Sequence, residues 1–454
     1  MSSTPAITPV VPAPKTIPEV YVLWHPKCPI GERLASEIYS WLRPGHGLGP
    51  DVFFRTLPRP EPSDDPLPLP IPGEARDTIP MAPTPSDSAP KVTPRRSSLV
   101  TLQIVVLLID SNMVADASWR YWLELLAATP TTGLKRIFLP VALDSTAFNM
   151  PSAIGRLNFL RPSGLPAPVN PTAANLATIA RSLCKQLTES LCWLLLGRPE
   201  GSAATMAPAG ATTPPGALTG LPDTTSAKIS IFLSHAKKDG YKPARRIRDY
   251  IYAQTQLAAF FDENDIPFGI AYARRIRSGL SDQETAALIV IWSAVYSDRP
   301  WCRRELSLFR QPFSETFPNG PEFWRLDPVL VVDALEPGAQ TSGIPELGNA
   351  RYIRWSEDQK DLEEQVVTLV LRDALLRSFH SALGRSIAPK PDGSRIVINW
   401  LPDPTTLLLI PRVQQAQSEL EVCYPGKGLS ALELEILDQY FPRVDFKNFE
   451  QVLG

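Results

Sequence analysis

The sequence is poor in cysteine and histidine and contains no long hydrophobic segment. Its five cysteines are far apart and form no C-x-x-C pair, which argues against a disulfide framework and against a zinc site. Isolated cysteines are typical of a reducing compartment, so we expect a cytoplasmic protein. The longest apolar run, residues 99–109, is much shorter than the ~20 residues that cross a bilayer. The first residues also lack the basic and apolar regions of a secretory signal.

The chain has no excess of charge and no common nucleotide-binding motif. Its 45 Lys and Arg and 47 Asp and Glu give a net charge of −2, which argues against a protein that coats nucleic acid by bulk charge. Neither G-x-G-x-x-G nor G-x-x-x-x-G-K-[ST] occurs. We therefore expect neither a Rossmann-bound hydride carrier nor a P-loop nucleotidase, and no resident cofactor or metal.

Proline, by contrast, is abundant, and its distribution divides the chain. There are 49 prolines among 454 residues, about twice the usual ~5%. The proline-rich segment at about residues 56–95 predicts an inserted loop, because proline cannot donate to a β-ladder. A second stretch, residues 199–226, is rich in Ala, Thr, Gly and Pro and predicts an interdomain linker.

Strand-like and helix-like segments alternate after the linker. Strands are predicted at residues 228–233, 257–261, 286–292, 328–332 and 350–353. Some of these runs are apolar throughout, which predicts a parallel sheet covered on both faces. Asp298 before Pro300 predicts a capped helix start, and Ser356 with Gln359 predicts a capping box for a long helix.

The segment before the linker repeats this order. Its predicted strands lie at residues 20–24, 51–54, 102–109, 137–143 and 157–160, and its predicted helices at 31–42, 117–128 and 173–196. Matching stretches such as SWRYWLELL and PWCRRELSL lead us to infer a tandem duplication. From about residue 387, two further strands and a helix capped by Ser430 and Glu433 predict a small α/β appendage.

The expected organisation has five parts. They are a disordered tail at residues 1–18, a first α/β domain at 19–198 that carries the proline-rich insertion, the linker at 199–226, a second α/β domain at 227–385 and a small C-terminal region at 386–454.

Three segments of the second domain resemble the three sequence boxes of Toll/interleukin-1 receptor (TIR) domains. They are KISIFLSHAKKD, AFFDENDIPFG and ALIVIWSAVYSDRPWCRRELSLF, in the proper order within about residues 228–384. The resemblance implies two flavodoxin-like α/β TIR domains with parallel sheets in tandem, the first of them degenerate. The first domain has Trp24-His25-Pro26 in place of Ser-His, and Leu123 where the second has Glu305. The alternative for the first domain is an unrelated α/β fold.

TIR domains either assemble signalling complexes or, in many bacterial members, hydrolyse or cyclise NAD+. In the enzymatic members a glutamate of the third-box helix is essential, and Glu305 holds that position, with Trp301 one turn earlier on the same face. The resemblance therefore implies an NAD+ glycohydrolase or cyclase of bacterial anti-phage immunity, with NAD+ as its substrate and Glu305 as its catalytic residue. The alternative is a non-enzymatic TIR scaffold that mediates protein–protein assembly.

The resemblance also implies partners and further site residues. The predicted substrate-binding residues are Ser234, His235, Lys237, Asp262, Gly269, Trp292 and Trp301. Glu305 and most of these residues also have a structural alternative: an ion pair with arginine for Glu305, a core position for the tryptophans, a strand-closing hydrogen bond for His235, a solvated basic face for Lys237 and loop shaping for Asp262 and Gly269. We expect self-association through the TIR domains and activation by a partner or a nucleotide signal. A membrane is not expected as a partner, and the lack of interleaved aromatic residues argues against nucleic acid.

Overall fold

The structure is a computed structural model that describes most of the chain. The described residues are 17–45, 47–56, 99–128, 135–167, 171–196, 230–255, 258–260, 286–315, 322–336, 338–339, 343–348 and 350–453. Nearly all of the predicted tail and of the proline-rich insertion, and the whole predicted linker, lie outside these residues. No helix within the described ranges is long and apolar enough to cross a bilayer.

Four parallel strands form the first sheet, in the order β2-β1-β3-β4. The strands are β1 (Pro18–Trp24), β2 (Val52–Arg55), β3 (Leu102–Ile109) and β4 (Lys135–Ala142). The helices of this first unit are α1 (Gly31–Leu42), α2 (Ser111–Ala115), α3 (Ala117–Ala128), α4 (Ser152–Gly155) and α5 (Ala173–Leu196), with a 3₁₀ turn at Ser145–Asn149. Helices α1 and α5 pack on one face of the sheet and α3 packs on the other.

The strand predicted at residues 157–160 is reduced to a single bridge. Leu160 N donates to Pro140 O (2.8 Å), and Ala142 N donates to Leu160 O (3.0 Å). A longer parallel ladder would need the next donors to be the backbone nitrogens of Pro140 and Pro162, and proline has no N–H group. The predicted fifth strand is therefore wrong beyond this one bridge.

Five parallel strands form the second sheet, in the order β11-β10-β7-β5-β6. They are β5 (Ser230–His235), β6 (Ala258–Phe260), β7 (Ala286–Trp292), β10 (Val329–Asp333) and β11 (Arg351–Arg354). The helices of this second unit are α6 (Tyr241–Gln254), α7 (Pro300–Arg310) and α8 (Leu362–Gly384), with a 3₁₀ turn at Pro345–Leu347. Helices α6 and α8 cover one face and α7 covers the other. The predicted α/β fold with parallel sheets is confirmed.

Two predicted helix starts are wrong. The N-cap of helix α7 is Arg299 rather than Asp298, and its side chain makes no capping hydrogen bond. Pro300 at the first helical position has no N–H group, so one fewer backbone donor needs an acceptor there. Helix α8 starts at Leu362 rather than at Ser356, and the predicted capping box does not form. Residues 356–361 are all exposed and Leu362 is the first buried side chain, so the helix starts where packing against the core starts.

The third sheet has the order β14-β13-β12-β9-β8, with only the β8–β9 pair antiparallel. Its strands are β8 (Phe313–Glu315), β9 (Glu322–Arg325), β12 (Arg395–Ile398), β13 (Leu420–Tyr424) and β14 (Val444–Asn448). Its helices are α9 (Pro404–Leu407), α10 (Pro411–Gln414), α11 (Ala431–Tyr440) and α12 (Phe449–Leu453). The capping box of Ser430 and Glu433 at α11 is confirmed. Strands β8 and β9 precede β10 in the chain, so a boundary at residue 385 would divide this sheet.

Asn399 joins the second and third sheets. Residues 326–328 alone separate β9 from β10, so the chain passes directly from one sheet into the other. The Asn399 amide accepts from Leu326 N (2.9 Å) and donates to Ser381 Oγ (3.1 Å), and its backbone carbonyl accepts from Arg377 Nη1 (3.0 Å). Asn399 is buried, so its amide satisfies polar groups that water does not reach.

Glu421 on β13 is a buried carboxylate surrounded by cations. It pairs with Arg395, with Lys390 Nζ (3.1 Å) and with Lys447 Nζ (3.3 Å). Burial alone would raise the pKa of Glu421, but hydrogen bonds from Arg395, Lys390 and Cys423, together with the charge of Arg395, outweigh it and lower the pKa from 4.5 to about 2. The ionised form therefore stabilises the fold above about pH 4.5, and this contribution is lost as the pH falls towards 2.

We expect Glu421→Gln to lower the free energy of unfolding at pH 7 by about 1–3 kcal/mol, because three cations lose their shared anion. The difference from wild type should shrink as the pH falls below 4.5, where wild-type Glu421 also begins to lose its charge in the unfolded chain. Urea unfolding of both proteins between pH 7 and pH 3 measures this difference. A difference that stays constant with pH would contradict the electrostatic explanation.

Candidate active site

Several predicted site residues of the second unit lie at the carboxyl edge of its sheet. His235 is the last residue of β5, Trp292 is the last residue of the adjacent strand β7, and α7 begins eight residues after Trp292. Parallel strands bring their carboxyl ends to one edge, which is where open α/β sheets bind ligands. The topology therefore brings together residues that are about 70 positions apart in sequence.

Helix α7 places Glu305 and Trp301 at the border between the core and solvent. Cys302, Leu306 and Phe309 form its buried stripe. Trp301 and Glu305 lie one turn apart beside this stripe; Trp301 is 49% exposed and Glu305 is half-buried. The Arg304 guanidinium lies 5.5 Å from the centre of the Trp301 ring. A carboxylate in this position is accessible to a ligand yet partly shielded from water.

A buried chain of hydrogen bonds fixes the start of α7 to the end of β5. Ser234 Oγ lies 2.8 Å from Tyr296 Oη, which donates to Cys302 O at 3.2 Å. The Cys302 thiol in turn donates to His235 O (3.5 Å). Ser234 and Tyr296 are almost inaccessible to solvent. In this arrangement Ser234 acts on the site by positioning α7, while its direct contact with a substrate stays a prediction.

Asp239 joins the two loops that border the site. Its carboxylate accepts from Ser293 Oγ (2.5 Å) and from Val295 N (3.0 Å). Asp239 lies in the loop after β5, which also carries the exposed Lys237, and both donors lie in the loop after β7. The sequence shows this acidic residue after Ser-His, but the partners of its carboxylate are revealed only by the fold.

His235 and Trp292 are less accessible than Trp301. The His235 side chain is buried, with its ring centre 6.3 Å from that of Tyr241. Trp292 is half-buried and contacts the Tyr352 ring edge-on at 5.8 Å. The indole N–H of Trp292 is buried and has no hydrogen-bond acceptor among the described residues. Their limited exposure agrees with core positions, and substrate contact by either residue stays a prediction.

The comparison with family models identifies this part of the chain. Residues 231–370 match the model described as TIR domain. The chain therefore contains a TIR domain. The match begins in β5 and ends within α8, so it includes all five strands of the second sheet and the helix with Glu305. No curated protein and no solved structure matches the chain.

Two predicted residues of the TIR domain, Asp262 and Gly269, lie outside the described residues. Within the described ranges, no group of three or more His, Cys, Asp or Glu side chains could hold a metal ion. Tyr296 and Asp239 are the positioning residues that sequence reasoning missed. No local signal distinguishes Tyr296, because its hydroxyl meets Ser234 only after strand β5 and the loop after β7 are brought together.

We expect Tyr296→Phe to weaken the site without unfolding the TIR domain. The substitution keeps the buried ring but removes the hydroxyl between Ser234 and Cys302, so the first turn of α7 loses a fixed position. Any turnover that depends on Glu305 should fall about 5- to 50-fold in kcat with little change in KM. Ser234→Ala should have a similar effect, and the double variant should be no worse than Tyr296→Phe, because both act through one hydrogen bond. Additive losses would contradict this coupling.

Proposed function

We propose that the TIR domain cleaves NAD+ at the bond between nicotinamide and ribose, with Glu305 as the catalytic carboxylate. The observation that best supports the proposal is the position of Glu305 in the fold. It is half-buried on α7 at the carboxyl edge of the sheet, one turn from the exposed Trp301. The buried link through Tyr296 and the exposed Asp239 carboxylate hold the surrounding loops in place.

The chemistry of this bond explains why one carboxylate suffices. The nicotinamide ring is cationic in NAD+ and leaves as a neutral molecule, so it needs no proton from a general acid. Positive charge instead develops on the ribose, as in other oxocarbenium-like transition states. A partly buried carboxylate at Glu305 stabilises that charge more strongly than water would. Trp301 provides an aromatic surface against which a ring of the substrate can stack, and Lys237 provides charge for the pyrophosphate.

We further propose that the first unit is a degenerate, non-catalytic TIR-like copy. Its strand order β2-β1-β3-β4 follows the same pattern as β6-β5-β7-β10 of the TIR domain. Trp119 and Leu123, which align with Trp301 and Glu305, are both fully buried on α3. Glu124, the next residue, points about 100° away around the helix and is exposed. This unit therefore has no carboxylate at the position that Glu305 occupies in the TIR domain.

Bacterial anti-phage immunity, with activation by assembly or by a bound signal, is the proposed biological setting. A second candidate function is a non-enzymatic scaffold that joins TIR partners. The exposed aromatic side chains of Tyr252 (58%) and Trp301 (49%) favour it, because rings of this kind often supply contacts between proteins. The two functions differ in whether the chain consumes NAD+.

The test is incubation of the concentrated full chain with NAD+, with nicotinamide, ADP-ribose and cyclised products separated by chromatography. Stoichiometric release of nicotinamide supports the enzyme and identifies a linear or cyclic product. Association of the full chain at high concentration without any release of nicotinamide supports the scaffold.

A further inference from the structure

A pair of parallel helices joins the first unit to the TIR domain. Lys185 Nζ of α5 lies 2.9 Å from Glu364 Oε2 of α8, and the Cys192 thiol of α5 donates to Leu371 O of α8 at 3.8 Å. Both pairs are separated by the same 179 positions in sequence, so the helices run side by side in the same direction. Their apolar side chains belong to one continuous hydrophobic cluster that includes core residues from one face of each unit's sheet.

Two cation–aromatic contacts cross this interface in opposite directions. Trp41 of α1 donates from its indole N–H to Thr188 of its own unit (2.8 Å), and the Arg372 guanidinium of α8 lies 4.4 Å from its ring centre. Tyr250 of α6 donates to Glu364 of its own domain (3.1 Å), and Lys185 Nζ of α5 lies 5.3 Å from its ring centre. Each unit thus offers a ring on its first helix to a cation on the last helix of the other.

The charged groups at this interface are mostly shielded from water. The side chains of Lys185 and Glu364 are 19% and 25% exposed, against 67% and 56% for the surface pair of Lys242 and Glu357. Arg372 is buried. Partly buried charges that keep their partners are costly to separate. An interface of this kind differs from the wet, polar contact that a loosely tethered domain makes.

We propose that the first unit is a fixed intramolecular partner of the TIR domain and covers its α6–α8 face. Self-association of the full chain must then use other surfaces of the TIR domain, because this face is already occupied by α5 and Trp41. The inference concerns the fold of the full chain and does not depend on NAD+ cleavage.

Charge reversal in the full chain tests the proposal. Lys185→Glu places two carboxylates together at the interface, and Glu364→Lys places two ammonium groups there. For each variant we expect backbone amides of α5 and α8 to exchange hydrogen about 10- to 100-fold faster. Sedimentation should show added association through the uncovered apolar face. The double variant Lys185→Glu/Glu364→Lys restores an opposite-charge pair and should return both readouts close to wild type.

Lys242→Glu is the matched control, because it makes the same change in an exposed pair of the TIR domain and should leave both readouts unchanged. Arg372→Gln removes the other cation–aromatic contact and should also speed hydrogen exchange in α5 and α8. This variant carries the test if a charge reversal prevents folding. Unchanged exchange in Lys185→Glu, Glu364→Lys and Arg372→Gln would overturn the proposal. A double variant that folds but exchanges its amide hydrogens as fast as the single variants would also overturn the proposal.

Discussion

Glu305→Gln is expected to lower NAD+ turnover by the full chain about 10³-fold or more, with little effect on the binding of NAD+. Glutamine has nearly the same shape, so α7 keeps its buried stripe of Cys302, Leu306 and Phe309. What it lacks is the negative charge that opposes the positive charge growing on the ribose. The loss should therefore appear in kcat, since the charge is needed in the transition state more than in the bound substrate.

The control for this variant is Glu124→Gln. It makes the same chemical change on the corresponding helix of the first unit, at an exposed position, and should leave turnover unchanged. Nicotinamide release is the measurement for both, with sedimentation as a check on assembly. Equal turnover in wild type and Glu305→Gln would exclude Glu305 as the catalytic residue. Loss of assembly in Glu305→Gln, in a chain that never releases nicotinamide, would favour the scaffold.

Asn399→Leu is expected to lower the free energy of unfolding by about 3–4 kcal/mol. Leucine has a similar volume but cannot accept the Leu326 N–H or donate to Ser381 Oγ. The backbone N–H of Leu326 would then be buried without an acceptor, at the point where the chain passes from the third sheet into the second. We expect the guanidinium midpoint of unfolding to fall, or the third sheet to unfold in a separate, earlier transition.

Gln415→Ala serves as the comparison, because this side chain is exposed in the same region and should change the free energy of unfolding by less than about 0.5 kcal/mol. Asn399→Asp is informative as well, because its carboxyl keeps an acceptor for Leu326 N. The ionised carboxylate has no donor for Ser381 Oγ, whereas the neutral acid has one, so this variant should retain more of the stability near pH 4 than at pH 7. If Asn399→Leu unfolds at the wild-type midpoint, the amide does not join the two sheets in solution.

Most of the order of strands and helices in the first unit and in the TIR domain could be predicted from the sequence because it follows from local patterns, whereas β8, β9 and β14 were not predicted. The apolar runs at β3 and β7 and the helical spacing of α1 and α3 depend on neighbouring residues alone. The helix starts at α7 and α8 could not be predicted correctly, because good capping residues at Asp298 and Ser356 were overridden by the position of Pro300 and by the first buried contact of Leu362. When a capping residue and tertiary packing favour different start positions, packing decides where the helix begins.

Residue types and their spacing are enough to recognise the TIR domain and to place Glu305 and Trp301 one turn apart on a helix. Three features become visible only in the folded chain: the groups that hold α7 in place, the pairing of β8 and β9 with the C-terminal strands, and the cover that the first unit provides for the α6–α8 face of the TIR domain. These features depend on contacts between residues up to about 330 positions apart. Such contacts join segments that are distant in the sequence, so no local pattern of residues predicts them.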